Sequence, residues 1–188
     1  MRFTALHILI AFAAGSLAYP SAGLTTGNAQ EAKFVELFRQ PTRDPANNHH
    51  LVFLGPPNGT HPEPNEHQKR GGCSSTSQPS CSSSNTARND ICESLITELN
   101  GDAQVAVPNS PRQICYEGDA ADSDDNAYCC VSWGTAVNNL EKGDLASYAA
   151  TITSQCTQNG VSGKFSSVPL GPLSTCSEFC TSSRGDHC

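Results

Sequence analysis

The stretch Ala127-Tyr128-Cys129-Cys130-Val131-Ser132-Trp133 decides the fold. Its β-branched and aromatic residues read as a strand, and successive side chains of a strand point to opposite faces. Cys129 therefore goes with Val131 and Trp133, while Cys130 goes with Tyr128 and Ser132. The two neighbours must bridge to different partners, one on each face of a sheet.

Outward from this strand, Gln104-Val105-Ala106-Val107 and Gln113-Ile114-Cys115-Tyr116 are predicted strands before it, and Lys164 to Leu170 a strand after it. Helices are predicted on both sides. Ala87, Ile91, Leu95 and Leu99, with Cys92 and Ile96 alongside, form one helical face by four-residue spacing. Asp90, Asn85 and Thr86 are the candidate caps, and Asn100-Gly101 is the stop. A second helix starts at Gly143-Asp144 with Asp144 as its cap and ends near Gly160. Its face is Leu145, Tyr148, Ala149, Ile152 and Cys156. This order predicts an α+β fold: a small antiparallel sheet with two helices packed on it, disulfide-rich. A tail carrying Cys176, Cys180 and Cys188 is expected to be pinned back across it.

All ten cysteines (Cys73, Cys81, Cys92, Cys115, Cys129, Cys130, Cys156, Cys176, Cys180 and Cys188) lie in the last 116 positions. The N-terminus reads as a secretory signal peptide over residues 1–18: basic Arg2, an apolar run from Ala5 to Ala14, then small residues at Ser16 and Ala18. That run is shorter than the roughly 20 residues a membrane-spanning helix needs, and no later segment is a candidate span. Secretion implies an oxidising compartment, where an even cysteine count reads as a disulfide framework of open connectivity.

Residues 19–70 carry seven prolines, the pair His49-His50 and no cysteine. Phe34-Val35-Glu36-Leu37-Phe38 and Leu51-Val52-Phe53-Leu54 are their only candidates for packing. On its own such a segment buries too little apolar surface to offset its ordering entropy, so it is expected to be largely flexible. It ends in Lys69-Arg70, a dibasic pair of the kind cut by processing proteases of the eukaryotic secretory pathway. Residues 19–70 are thus read as a propeptide and 71–188 as the mature domain. The sequon Asn58-Gly59-Thr60 places a glycan on Asn58 of the propeptide. The mature part holds five Lys and Arg against thirteen Asp and Glu, which disfavours nucleic acid as a partner. An extracellular protein or glycan is the expected partner, and a monomer the expected state.

No catalytic, cofactor-binding or metal-binding residue is assigned. Of six histidines only His187 follows the dibasic pair, leaving hydroxyl or thiol nucleophiles almost no base. Cysteine pairs at C-x2-C spacing are lacking. The acidic run Glu117-Gly118-Asp119-Ala120-Ala121-Asp122-Ser123-Asp124-Asp125 reads as a solvated loop and departs from the calcium-loop pattern. Carboxylates alone can drive glycoside hydrolysis, so a hydrolase of wall polymers is the rival to a binding protein, and a structural wall component a third reading.

The stretch 73–188 resembles the WD-like domain of secreted fungal proteins. The matching residues are Ser110-Pro111-Arg112-Gln113-Ile114-Cys115-Tyr116, Cys129-Cys130-Val131-Ser132-Trp133, Gly160-Val161-Ser162-Gly163 and the closing cysteines. Element order also looks like that of killer-toxin-like fungal effectors, on layout alone. The resemblance implies a fungal origin and an extracellular address and supplies no mechanism. There is no repeat of the length a WD-repeat propeller requires. The expected function is extracellular binding, as an effector, toxin or antimicrobial factor.

Overall fold

Among the described residues seven strands and two α-helices form in the order β1 (Val35–Pro41), β2 (His50–Gly55), β3 (Ser80–Ser82), α1 (Asn89–Gly101), β4 (Gln113–Glu117), β5 (Tyr128–Trp133), α2 (Lys142–Gln155), β6 (Ser162–Leu170) and β7 (Thr175–Ser182). The computed structural model describes residues 34–44, 46, 48–57, 72–74, 78–108, 112–118 and 128–183, all within the unit Glu31–Cys188. The sheet runs β1-β2-β4-β5-β7-β6-β3, antiparallel at every pairing. Both helices pack on one face, giving a disulfide-rich α+β fold.

Strand β5 sits between β4 and β7. Cys129 bonds Cys92 of α1 and packs in the helix-side core with Val131 and Trp133. Cys130 bonds Cys115, its directly paired neighbour in β4, and clusters with Val52 on the opposite face. Cys81–Cys156 ties β3 to the end of α2, and Cys73–Cys176 ties the chain before β3 to β7. Cys180 is disulfide-bonded as well, no cysteine among the described residues is free, and Cys188 lies outside them.

The apolar spacing of both helices is realised in burial. In α1, Cys92, Leu95 and Leu99 are buried, with Ile91 and Ile96 partly buried beside them. The N-cap is Arg88, which makes no side-chain cap bond, so none of the candidate caps serves. In α2 the N-cap is Glu141 rather than Asp144. Asp144 stands three residues further on, where its carboxylate accepts the Glu141 N–H at 2.9 Å and closes a capping box. The helix ends in a short 3-10 turn over Thr157–Asn159 and the left-handed Gly160, φ 73°. Gly163 follows because α2 lies close on β6. A Cβ there would stand 2.4 Å from Ile152 Cγ2 and 2.8 Å from Cys156 Sγ.

Besides the helix caps, the chain departs from expectation in three further places. Residues 104–107 make only an isolated bridge, Ala106 to Glu141. Val105 and Val107 exchange backbone bonds with Leu140 and Lys142, but α2 begins there and no strand partner continues. The tail that was to be pinned across the sheet is instead an inner strand, β7, between β5 and β6. Finally, the segment read as largely flexible supplies β1 and β2. Leu51 and Phe53 are each 1% exposed in the helix-side core, and Val52 meets the Cys115–Cys130 bond on the other face. Composition measured what this segment can bury in itself; the remainder of the chain provides the surface it needs.

Replacing the Cys92–Cys129 bond by Cys92→Ala with Cys129→Ala is expected to lower stability by about 2–5 kcal/mol, read by urea unfolding under non-reducing conditions. Gly163→Ala should cost about 1–3 kcal/mol through overpacking. Gly72→Ala, where nothing lies within 4 Å of an added Cβ, should leave the unfolding midpoint unmoved.

Candidate functional site

Helices cover one face of the sheet, and a groove lies on the other. Gly163 faces α2, and alternation along the strand turns its neighbours Ser162 and Lys164 away from the helices. Their cross-strand partners turn with them: Ser82 opposite Ser162 and Ser80 opposite Lys164 in β3, and Cys180 opposite Lys164 in β7. With Ser182 and the turn residues Ser84 and Asn85 they line a groove of about 310 Å³.

The turn that closes this groove is fixed by its own bonds. Ser162 Oγ donates toward Ser84 O at 2.6 Å and Ser82 O at 3.1 Å, and the Ser183 N–H bonds Asn85 O at 3.1 Å. Asn85 takes the left-handed backbone there, φ 53°, a conformation asparagine tolerates better than most residues. Lys164 Nζ stands 2.8 Å from Glu178 Oε1, the groove's ion pair. Chemically the groove presents hydroxyls, an amide and one paired cation, which suit hydrogen-bonded recognition of polar ligands. A second cleft of about 350 Å³ lies at the start of α1, between Arg88, Asn89 and Thr157.

Among the described residues the carboxylates are engaged elsewhere. Every described carboxylate has a partner. Glu36 and Glu117 meet Arg39, Glu98 meets Arg43, Asp90 meets Arg88, Asp102 meets Lys142 and Glu178 meets Lys164. Glu93 accepts from Asn89, Asp44 from the Ala46 amide, and Glu141 and Asp144 form the capping box. The Arg39 guanidinium, hydrogen-bonded to Glu36, holds that carboxyl below its ordinary range, and Arg88 does the same to Asp90. Both shifts run opposite to the raised value a general acid for sugar cleavage needs. Burial pushes the phenols of Tyr128 and Tyr148 up and the guanidinium of Arg112 down. Among the described residues no group of three or more potential metal ligands forms, and no helix is long and apolar enough to cross a membrane.

The residues singled out in the sequence fall in different places. Cys73, Cys81, Cys92, Cys115, Cys129, Cys130, Cys156 and Cys176 pair as described above. Ala18, Asn58, Lys69, Arg70, His187 and the acidic run from Asp119 to Asp125 lie outside the described residues. Trp133, Tyr116, Phe165 and Phe179 are consumed by the core. Serines of the groove carried no signal of their own. They come from three distant stretches and meet only through strand pairing.

Neither curated proteins nor solved structures yield a match to this chain. The family model described as Fungal WD-like matches residues 59–188. That stretch begins after β2 and takes in β3 to β7, both helices and every cysteine. The chain belongs to the fungal WD-like family.

Proposed function

We propose that this protein is a secreted, non-enzymatic binding protein, acting outside the cell as an effector, toxin or antimicrobial factor. Its leader over residues 1–18 is removed after Ala18, and processing at Lys69-Arg70 cuts the covalent connection between residues 19–70 and the domain that acts. Support for an extracellular address comes from the bridges, since such bonds persist in oxidising compartments. Support for binding over catalysis comes mainly from seven described carboxylates whose partners lie within residues 71–188: Asp90, Asp102 and Glu178 in ion pairs, Glu93 on Asn89, Glu117 on Tyr128, and Glu141 and Asp144 in the capping box. What the sheet offers a ligand is the hydroxyl-lined groove between β3, β6 and β7. Hydroxyls and amides at such spacing recognise a glycan or a polar protein surface.

The test uses protein purified from culture medium, incubated with insoluble wall polysaccharides and with plant, insect and microbial cells. Retention on at least one surface is expected. Ser80→Arg and Lys164→Glu, both at the groove, should each weaken retention about tenfold, which is ~1.4 kcal/mol. No retention and no cellular response across the panel would sink the reading. Release of sugars from the polysaccharides, abolished by substituting acids of residues 71–188, would replace it with a hydrolase.

A further inference from the structure

We propose that the β1–β2 hairpin is a separable subunit: once the connection between residues 57 and 72 is cut, it stays bound to the disulfide-bonded body as a second, non-covalently held chain. The inference rests on the processing reading above only for its biological occasion. Its physical basis is the interface itself.

Covalent bonds divide the chain at one place. The hairpin has no cysteine, and the first bonded residue is Cys73. The family match likewise starts at residue 59, after β2 has ended. Yet the hairpin completes the body. β2 pairs along the whole of β4, from His50 opposite Glu117 to Leu54 opposite Gln113, and without it β4 is an open edge. An open edge with an apolar face invites strand addition. Phe53 stacks on Phe38 with ring centroids 4.3 Å apart, and both pack against the core of the body. Lys142, the first residue of α2, is 2% exposed. Its ammonium stands 5.9 Å from the Phe53 centroid, 3.4 Å from Gln40 Oε1 and 3.1 Å from Asp102 Oδ2.

Charge is complementary as well. The hairpin brings Arg39 to Glu117 of β4 at 3.1 Å and Arg43 to Glu98 of α1 at 3.7 Å. Arg43 also donates to Thr97 O at 3.1 Å, and its backbone N–H reaches the Glu98 carboxylate at 3.2 Å. Strand pairing, a buried aromatic and two ion pairs therefore hold the hairpin to β4, α1 and α2 together. The surface is a strand-accepting edge whose occupant is this chain's own cysteine-free segment.

The experiment cuts oxidised full-length protein with a dibasic-specific endoprotease at Lys69–Arg70, or at a protease site inserted after Glu66 if that bond resists. Size exclusion follows, first in native buffer and then in urea without reductant. Wild-type fragments should co-elute one to one natively and separate in urea. Arg43→Glu, on a half-exposed residue that should not impair folding, is expected to weaken the association about tenfold against Glu98. A wild-type hairpin that elutes free in native buffer, whether the body stays folded or aggregates, overturns the proposal. Because the readout is association of two fragments and needs no ligand, failure to bind any surface in the preceding test leaves this result intact.

Discussion

Successive residues of an extended strand face opposite ways, and Cys129 and Cys130 turn that rule into covalent bonds on both sides of β5. On one side the bond fixes α1 against the sheet; on the other it fixes β4 to β5 in register. A one-residue slip of β5 would exchange the two faces and break both connections. The remaining elements follow from this anchor. α1 held on the sheet gives α2 a surface to pack on, and Gly163 lets α2 settle close to β6. A small domain buries a limited share of its surface, so bonds worth about 2–4 kcal/mol each form a large part of what keeps it folded.

How much of this could be read from the chain varied with how local the cause is. Both helices were legible, because their apolar spacing is local and long enough to be unambiguous. β4, β5 and β6 were legible from their short apolar runs. β7 was not. Thr175-Cys176-Ser177-Glu178-Phe179-Cys180-Thr181-Ser182 has a single large apolar side chain, and its burial comes from lying between β5 and β6 rather than from composition. β6 also hides its period, because a bulge between Phe165 and Val168 puts both on the buried face at a spacing of three. Leu51-Val52-Phe53-Leu54 was visible as an apolar run, but its partner lies about sixty residues downstream. Judged within its proline-rich surroundings, it had nothing to pack on.

The groove was illegible for a related reason. Ser80, Ser82, Ser162, Lys164 and Ser182 are common surface residues, and only the pairing of β3 with β6 and of β6 with β7 sets them on one face. Engagement of the acids was equally hidden. Glu98 and Arg43 are 55 residues apart, and Asp102 and Lys142 are 40 apart. A count of acidic residues gives the sign of the domain's field and says nothing about which acids are committed to structure. Family membership adds a boundary to this picture, residues 59–188, without adding a site.

Three features fall between the end of β2 and Cys73 in the sequence: the start of the family match at residue 59, the pair Lys69-Arg70 and the onset of cysteines. They divide the molecule by the kind of force that holds it. From Cys73 onward, bonds spanning 103, 75, 37 and 15 residues overlap, so strands and helices are linked through sulfur. The β1–β2 hairpin before it is held by backbone ladder, aromatic packing and ion pairs, all of them reversible. Such a partition lets one part be exchanged while the other cannot rearrange. Leu51 to Leu54, the most apolar piece of residues 19–70, carries no cysteine. A strand meant to be permanent gains from a bridge to its neighbour, as β4 does to β5. β2 pairs with β4 just as fully and has none. The difference lies in covalent chemistry rather than in packing, and it is the physical ground for treating the hairpin and the body as separate units.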